Sequence, residues 1–206
     1  WEEQVFRPED NGAIKPLRES EYGKKGAAVL FVNPSNDDTR QFQLKTFEEV
    51  LKNYDVDGIV LDRARYDNET ADFSDLTKAK FEAFLQQRGK TLTNWPNDIF
   101  RYVDGKRVDG PLIQEWWEFR SGTIASFVSE TRALVDRYTA QKGKKIETSA
   151  YVGAWFESYY LNGVHWGSKN FRYDSRLKFP NGSIYTDGYY NTGYIRNMDF
   201  LMVGTY

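Results

Sequence analysis

Short apolar runs alternating with long stretches of helical periodicity leave this chain few folds to choose from. Residues 27–33, Ala-Ala-Val-Leu-Phe-Val-Asn, and residues 58–62, Gly-Ile-Val-Leu-Asp, are nearly continuous in apolar side chains, as strands buried on both faces are. Between them Leu44, Phe47, Leu51 and Tyr54 recur at spacings of three and four with charges interleaved, which predicts a helix from Asp37 or Asp38 to Tyr54. After the second run, Ser74 is placed to cap a helix over 75–88 that Gly89 ends, and a linker through Trp95-Pro96 follows. Gly110-Pro111 opens the longest helix, to about residue 141, with Trp116, Phe119, Thr123, Phe127, Thr131, Leu134 and Tyr138 as its buried stripe and Gly143 as its stop. Residues 146–153 read as a third strand, residues 154–197 as a long loop rich in Gly, Asn and Tyr, and residues 199–206 as a fourth strand.

Strands separated by helices pair in parallel through right-handed crossovers, which defines an α/β class. A closed eight-stranded barrel takes roughly 250 residues. The 206 residues here therefore correspond to a partial (β/α)8 TIM barrel, one domain over 1–206 truncated at both ends, with a long βα loop after the third predicted strand. Unstructured loops longer than about 15 residues are usually functional in compact domains, so this loop is expected at the active rim.

Composition narrows the chemistry. With 28 basic and 30 acidic residues spread along the chain, no footprint for nucleic acid is present. Cysteine is absent, which removes disulfides, thiolate ligands and a cysteine nucleophile. No run of 18 apolar residues suggests a membrane span, and the chain opens Trp1-Glu2-Glu3 without an initiator Met, as a piece of something longer does. Aromatic residues make up 17% of the chain, more than a core of this size requires; the surplus either thickens the core or stacks on ligands such as the flat C–H faces of sugars.

Side chains alternate along a strand, so Val60 and Asp62 point together toward the barrel axis, with Asp62 at the carboxyl end where barrel enzymes place catalytic groups. A carboxylate there either serves as a nucleophile or caps the following turn and pairs with Arg63 or Arg65. Asp57, ahead of the strand, and Glu147, at the start of the third strand, belong to the opposite end and to stability.

The segment Asn53-Tyr54-Asp55-Val56-Asp57-Gly58-Ile59-Val60-Leu61-Asp62, with Arg65-Tyr66 behind it, resembles the signature of the glycosyl hydrolase-like ten family, relatives of α-amylase-type barrels. The resemblance extends through Asn33-Pro34, Trp117-Glu118-Phe119-Arg120, residues 164–170 (Val-His-Trp-Gly-Ser-Lys-Asn) and residues 199–206, most of the chain. It implies a (β/α)8 barrel acting on glycans, with Asp62 in the position of the α-amylase nucleophile. Two positions depart: Asp67 stands where the family has proline, and Val60 where α-amylases carry arginine, so the α-amylase charge arrangement is not reproduced.

A glycosidase needs a second carboxyl group to protonate the leaving oxygen. Glu157, four residues past the third strand in an aromatic stretch, is the candidate acid, with a solvated loop glutamate as the equal alternative; Asp174 and Asp187 compete with it in the same loop. Asn33, Arg65, Tyr66, Arg120, Trp155, His165, Trp166 and Tyr206 are the candidate sugar-binding residues, and Tyr159 is more suited to packing. Arg120 either reaches the carboxylates or braces Glu115 or Glu118 along its helix. His165 is the only histidine, so neither a histidine metal site nor a serine triad is available. Asp67, Asn68, Asp72 and Asp75 read as a solvated turn rather than a calcium loop, and Asn68-Glu69-Thr70 and residues 181–183 fit glycosylation acceptors only by a common tripeptide.

The resulting expectation is a secreted glycoside hydrolase that cleaves O-glycosidic bonds of an oligo- or polysaccharide through Asp62 and Glu157, without metal or cofactor. The alternative is a non-catalytic carbohydrate-binding or degenerate barrel. The expected partners are a carbohydrate and, for the open half-barrel, either its missing remainder or a second copy, with no nucleic acid. The export signal would lie outside this chain.

Overall fold

The computed structural model describes residues 1–26, 30–172, 176 and 184–205. Strands β1 (Gln4–Phe6) and β2 (Ile14–Pro16) form an antiparallel hairpin, followed by the single turn α1 (Glu21–Lys24). Helix α2 (Asp37–Asn53) starts at Asn36, whose side chain accepts from the Thr39 N–H at 3.0 Å, and its acidic first turn suits the helix dipole. Strand β3 (Gly58–Leu61) leads to α3 (Asp75–Gln86), capped by Ser74 as expected. Strands β4 (Phe100–Val103) and β5 (Lys106–Asp109) form a second hairpin. Helix α4 (Ile113–Lys142) ends on Gly143, left-handed at φ 61°. Strand β6 (Glu147–Gly153), the short helix α5 (Asp187–Tyr190) and strand β7 (Phe200–Gly204) complete the described elements.

The central sheet has the order β3-β6-β7, parallel throughout, with Val60 opposite Ser149 and Ser149 opposite Phe200. This is a mixed α/β fold whose parallel sheet is compatible with part of an α/β barrel. Ile59, Leu61, Ala150 and Val152 pack on Leu51 of α2 and on Ile124, Val128, Val135 and Tyr138 of α4. The alternate positions Val60, Phe200 and Met202 are 48, 45 and 43% exposed, so the face that would look into a barrel is uncovered among the described residues. A second, largely aromatic core joins Phe6, Phe73, Phe81, Phe100, Trp116, Trp117, Tyr160 and Tyr189. Most of the aromatic surplus is spent on packing.

Four expectations are corrected. Of residues 27–33, the described residues 30–33 form no strand beside β3: Glu3 N–H donates to Phe31 O at 3.0 Å and Asn33 N–H to Trp1 O at 2.6 Å, so the segment runs antiparallel to the amino terminus instead. The linker after Trp95-Pro96 contains the β4–β5 hairpin, turned by Asp104 and Gly105, both at positive φ. The long loop is not structureless: a 3-10 helix spans Phe156–Asn162, α5 follows, and Tyr159, Tyr160, Tyr189, Tyr190 and Tyr194 turn inward. On α4 the buried stripe drifts to Trp117, Ile124 and Val128, leaving Thr123 and Phe127 half-buried.

Candidate functional site

Asp62 follows β3 directly and is exposed, on the same side of the sheet as Val60. It makes no hydrogen bond or ion pair with a described residue, so the capping and arginine-pairing alternatives are not realised. Arg63 turns the chain in a left-handed conformation, φ 53°, a strained backbone for a non-glycine residue. Asp62, Arg63 and Arg65 border a cavity of about 360 Å³ whose other walls include Phe31, Val32 and Pro34, Thr39 and Phe47 of α2, and Ile124 and Phe127 of α4.

Arg65 is half-buried and held in place: its Nη1 donates to the Tyr66 and Asp67 carbonyls at 3.0 and 2.7 Å, and the guanidinium lies 5.1 Å from the Phe31 ring centre. Tyr66 is fully buried, and burial pushes its phenol pKa to about 12, so it stays protonated. Above its ring, at 4.4 Å, lies the guanidinium of Arg120, also fully buried. Arg120 braces neither Glu115 nor Glu118, which pair with Lys90 and Arg88; it donates to the Leu161 and Asn68 carbonyls at 3.0 and 2.5 Å. Burial lowers its pKa to about 10, so it is still a cation at neutral pH.

Sequence reasoning missed the two carboxyl groups that accompany it. Asp72, read as part of a solvated turn, is fully buried: it accepts from Gln4 N–H at 2.6 Å, Asn33 Nδ2 at 2.7 Å, and the Ser74 and Thr77 hydroxyls at 2.5 Å each. Glu3 is equally buried, its carboxylate accepting from Asp67 N–H at 3.3 Å. Burial raises the pKa of both; for Glu3 the charge of Asp72 adds to the rise, against the opposing pull of the Asp67 N–H and Arg120. Local composition could not reveal this, because the partners of Asp72 lie as far away in sequence as Gln4 and Asn33.

Asn33 therefore spends its amide inside this frame, also accepting from Ser35 N–H at 2.7 Å, and is buried away from any ligand. His165 is buried too, stacked on Tyr189 at 5.1 Å, and burial drops its pKa to about 4, so the ring is neutral near pH 7. Trp155 and Trp166 are half-buried; Trp166 meets Phe156 edge-on at 4.7 Å, and the Trp155 ring covers Gly153 so closely that no Cβ fits there. Glu157 is exposed on the 3-10 helix after β6 and does not line the cavity bordered by Asp62. Asp187 is exposed at the start of α5, 3.3 Å from Arg172. Asp174, Tyr206 and the acceptor tripeptide at 181–183 lie outside the described residues. Among the described residues no three His, Asp or Glu side chains converge as metal ligands, and no helix is long and apolar enough to cross a membrane.

The class of fold emerges from a solved structure: over 84% of this chain and 38% of the other, the fold matches the glycoside hydrolase domain of PgaB (BpsB) from Bordetella bronchiseptica with a TM-score of 0.52. At 14% sequence identity this is a likeness of fold alone. In sequence, the chain is 68% identical over all 206 residues to an S-layer-related protein of Niallia circulans and spans 13% of that protein's length. No family model matches the sequence.

Proposed function

We propose that this domain is a glycan-processing segment of a cell-surface protein, with β3, β6 and β7 as neighbouring strands of a (β/α)8 barrel and Asp62 as its nucleophilic carboxylate. The observation that carries the reading is an exposed carboxylate, without a partner among the described residues, set at the carboxyl end of a parallel strand beside a cavity. The fold likeness to a glycoside hydrolase domain supports hydrolysis, and the S-layer-related relative supports a surface location.

In this reading Asp62 attacks the anomeric carbon while Glu157 protonates the leaving oxygen and then activates water, the retaining scheme that needs carboxyl groups roughly 5 Å apart. Arg65, Trp155 and Trp166 contact sugar, whereas buried Asn33, Tyr66, Arg120 and His165 hold the rim in place. The open sheet edges and the uncovered apolar face suit further strands, from the rest of the longer protein or from a second copy. Turnover of a cell-wall polysaccharide by the full-length protein should fall at least about a thousandfold in Asp62→Asn; unchanged turnover removes Asp62 from the mechanism.

One observation favours a second reading, a carbohydrate-binding domain without hydrolysis: Glu157 is outside the cavity that Asp62 lines. If Glu157→Gln leaves both turnover and binding untouched, another acid must be sought or the hydrolytic scheme abandoned.

A further inference from the structure

We propose that the cavity beside Asp62 takes an acidic sugar unit, one bearing a carboxylate, and that Arg63 is its principal partner. The inference rests on reading this rim as a glycan site and names the class of glycan. Three arginines and one carboxylate border the cavity: Arg40, Arg63, Arg65 and Asp62. Arg40 is already spent, on Glu130 at 2.6 Å, Ser126 at 3.0 Å and the Thr123 carbonyl at 3.1 Å. Arg65 commits only Nη1, leaving its other two guanidinium nitrogens without a hydrogen-bond partner among the described residues. The Arg63 side chain makes no hydrogen bond or ion pair with a described residue, and its backbone is left-handed at the rim, its carbonyl accepting from Arg65 N–H at 2.8 Å. Two arginines with unspent donors thus border the cavity with one carboxylate that pairs with neither; Arg65 also lies in the field of Asp67, which leaves Arg63 as the cation to meet a ligand.

A second observation is independent of charge. The Thr39 hydroxyl is buried, lines the same cavity and has no hydrogen-bond partner. Buried hydroxyls are seldom left so, because the lost hydrogen bond to water is not replaced. The remaining wall is apolar and partly aromatic, with the half-buried Phe47 and Phe127 available to the C–H face of a pyranose. A volume of about 360 Å³ suits one or two sugar units.

A neutral sugar would satisfy Thr39 but leave the guanidinium groups unmatched, and a cationic amino sugar would be repelled by them. A carboxylated sugar answers both, since the planar fork of arginine matches a carboxylate in a paired, charge-assisted geometry. Asp62 disfavours an anion pressed against it, which sets the carboxylate toward Arg63 and the anomeric carbon toward Asp62.

The test is equilibrium binding of the full-length protein to size-matched tetrasaccharides: a panel of uronates (galacturonate, mannuronate, guluronate and hyaluronan fragments), neutral cellotetraose and cationic chitosan tetramer. At least one uronate should bind about tenfold or more tighter than the neutral and cationic probes, and should weaken as salt rises from about 0.05 to 0.5 M. Arg63→Gln should erase that preference with an unchanged melting temperature, and Thr39→Val should weaken binding several-fold while sparing the preference. Equal or tighter binding of the neutral or cationic probe, no uronate binding at all, or a preference intact in Arg63→Gln would overturn the proposal. Hydrolysis is read separately. Cleavage of a neutral glycan that depends on Asp62 would keep the hydrolase and remove the acidic sugar, whereas uronate preference without Asp62-dependent cleavage would do the reverse.

Discussion

Two sets of polar residues lie on either side of Tyr66, and they are treated in opposite ways. On the buried side, Glu3, Asn33, Asp72 and Arg120 are enclosed and supplied with protein partners. On the exposed side, the Asp62 and Arg63 side chains have none among the described residues, although they directly follow a strand of the parallel sheet. Burying a charge costs several kcal/mol unless it is paired and hydrogen-bonded, so the first set is committed to architecture. The second set is free to meet a ligand, and there the backbone takes a left-handed, non-glycine turn beside a carboxylate. A polar side chain's role here is better read from its unspent hydrogen bonds than from its chemical type.

Four measurements sharpen or break that contrast. Arg120→Met should be the most damaging, lowering stability in urea titrations by about 3–5 kcal/mol, because it leaves the Leu161 and Asn68 carbonyls and the Glu3 carboxyl without their cation. Asp72→Ala should cost about 3 kcal/mol by stranding the donors of Gln4, Asn33, Ser74 and Thr77. A loss under about 0.5 kcal/mol in either would show that the frame is dispensable.

The third concerns pH. Because burial raises the folded-state pKa of Glu3 above 4.5, its contribution to stability is fully present below that pH and is lost as pH climbs through the raised value. Asp72 acts in the same direction. Urea melts of Glu3→Gln from pH about 4.5 to about 8 should therefore decline less with rising pH than those of the wild type; parallel curves would mean that Glu3 does not titrate in this window. The smallest effect belongs to the rim: Asp62→Asn should shift stability by less than about 0.5 kcal/mol, and a large loss would put Asp62 with the frame.

Much of the scaffold was legible because it is periodic. The apolar spacing of Leu44, Phe47 and Leu51, the Ser74 cap and the Gly143 stop all mark helices that the structure contains at nearly those bounds. The β4–β5 hairpin also had a signal, Asp104-Gly105 between alternating runs, which a linker reading overlooked. The β1–β2 hairpin had little: three residues a strand, with Gln4 and Lys15 at mixed burial, carry no period. Of the candidate site residues, Asp62 alone had a placement legible in the sequence, at the end of a parallel strand, because that placement depends on the strand alone. Tyr66, His165 and Arg120 look like ligand contacts by residue type, yet their surroundings are assembled from segments far apart in sequence, such as Asn68 and Leu161 about one guanidinium. Glu157 and Asp62 do not share the cavity, and no local pattern foretold it.

Helix α4 carries a further consequence. Its 30 residues place Trp116, Trp117 and Phe119 in the aromatic core near one end and Val128, Val135 and Tyr138 in the sheet core toward the other. Neither core can melt without releasing a stretch of the same rod, so unfolding should be a single cooperative event. Tryptophan fluorescence, which watches the aromatic end, and far-ultraviolet dichroism, which watches the whole helix, should then trace one coincident transition.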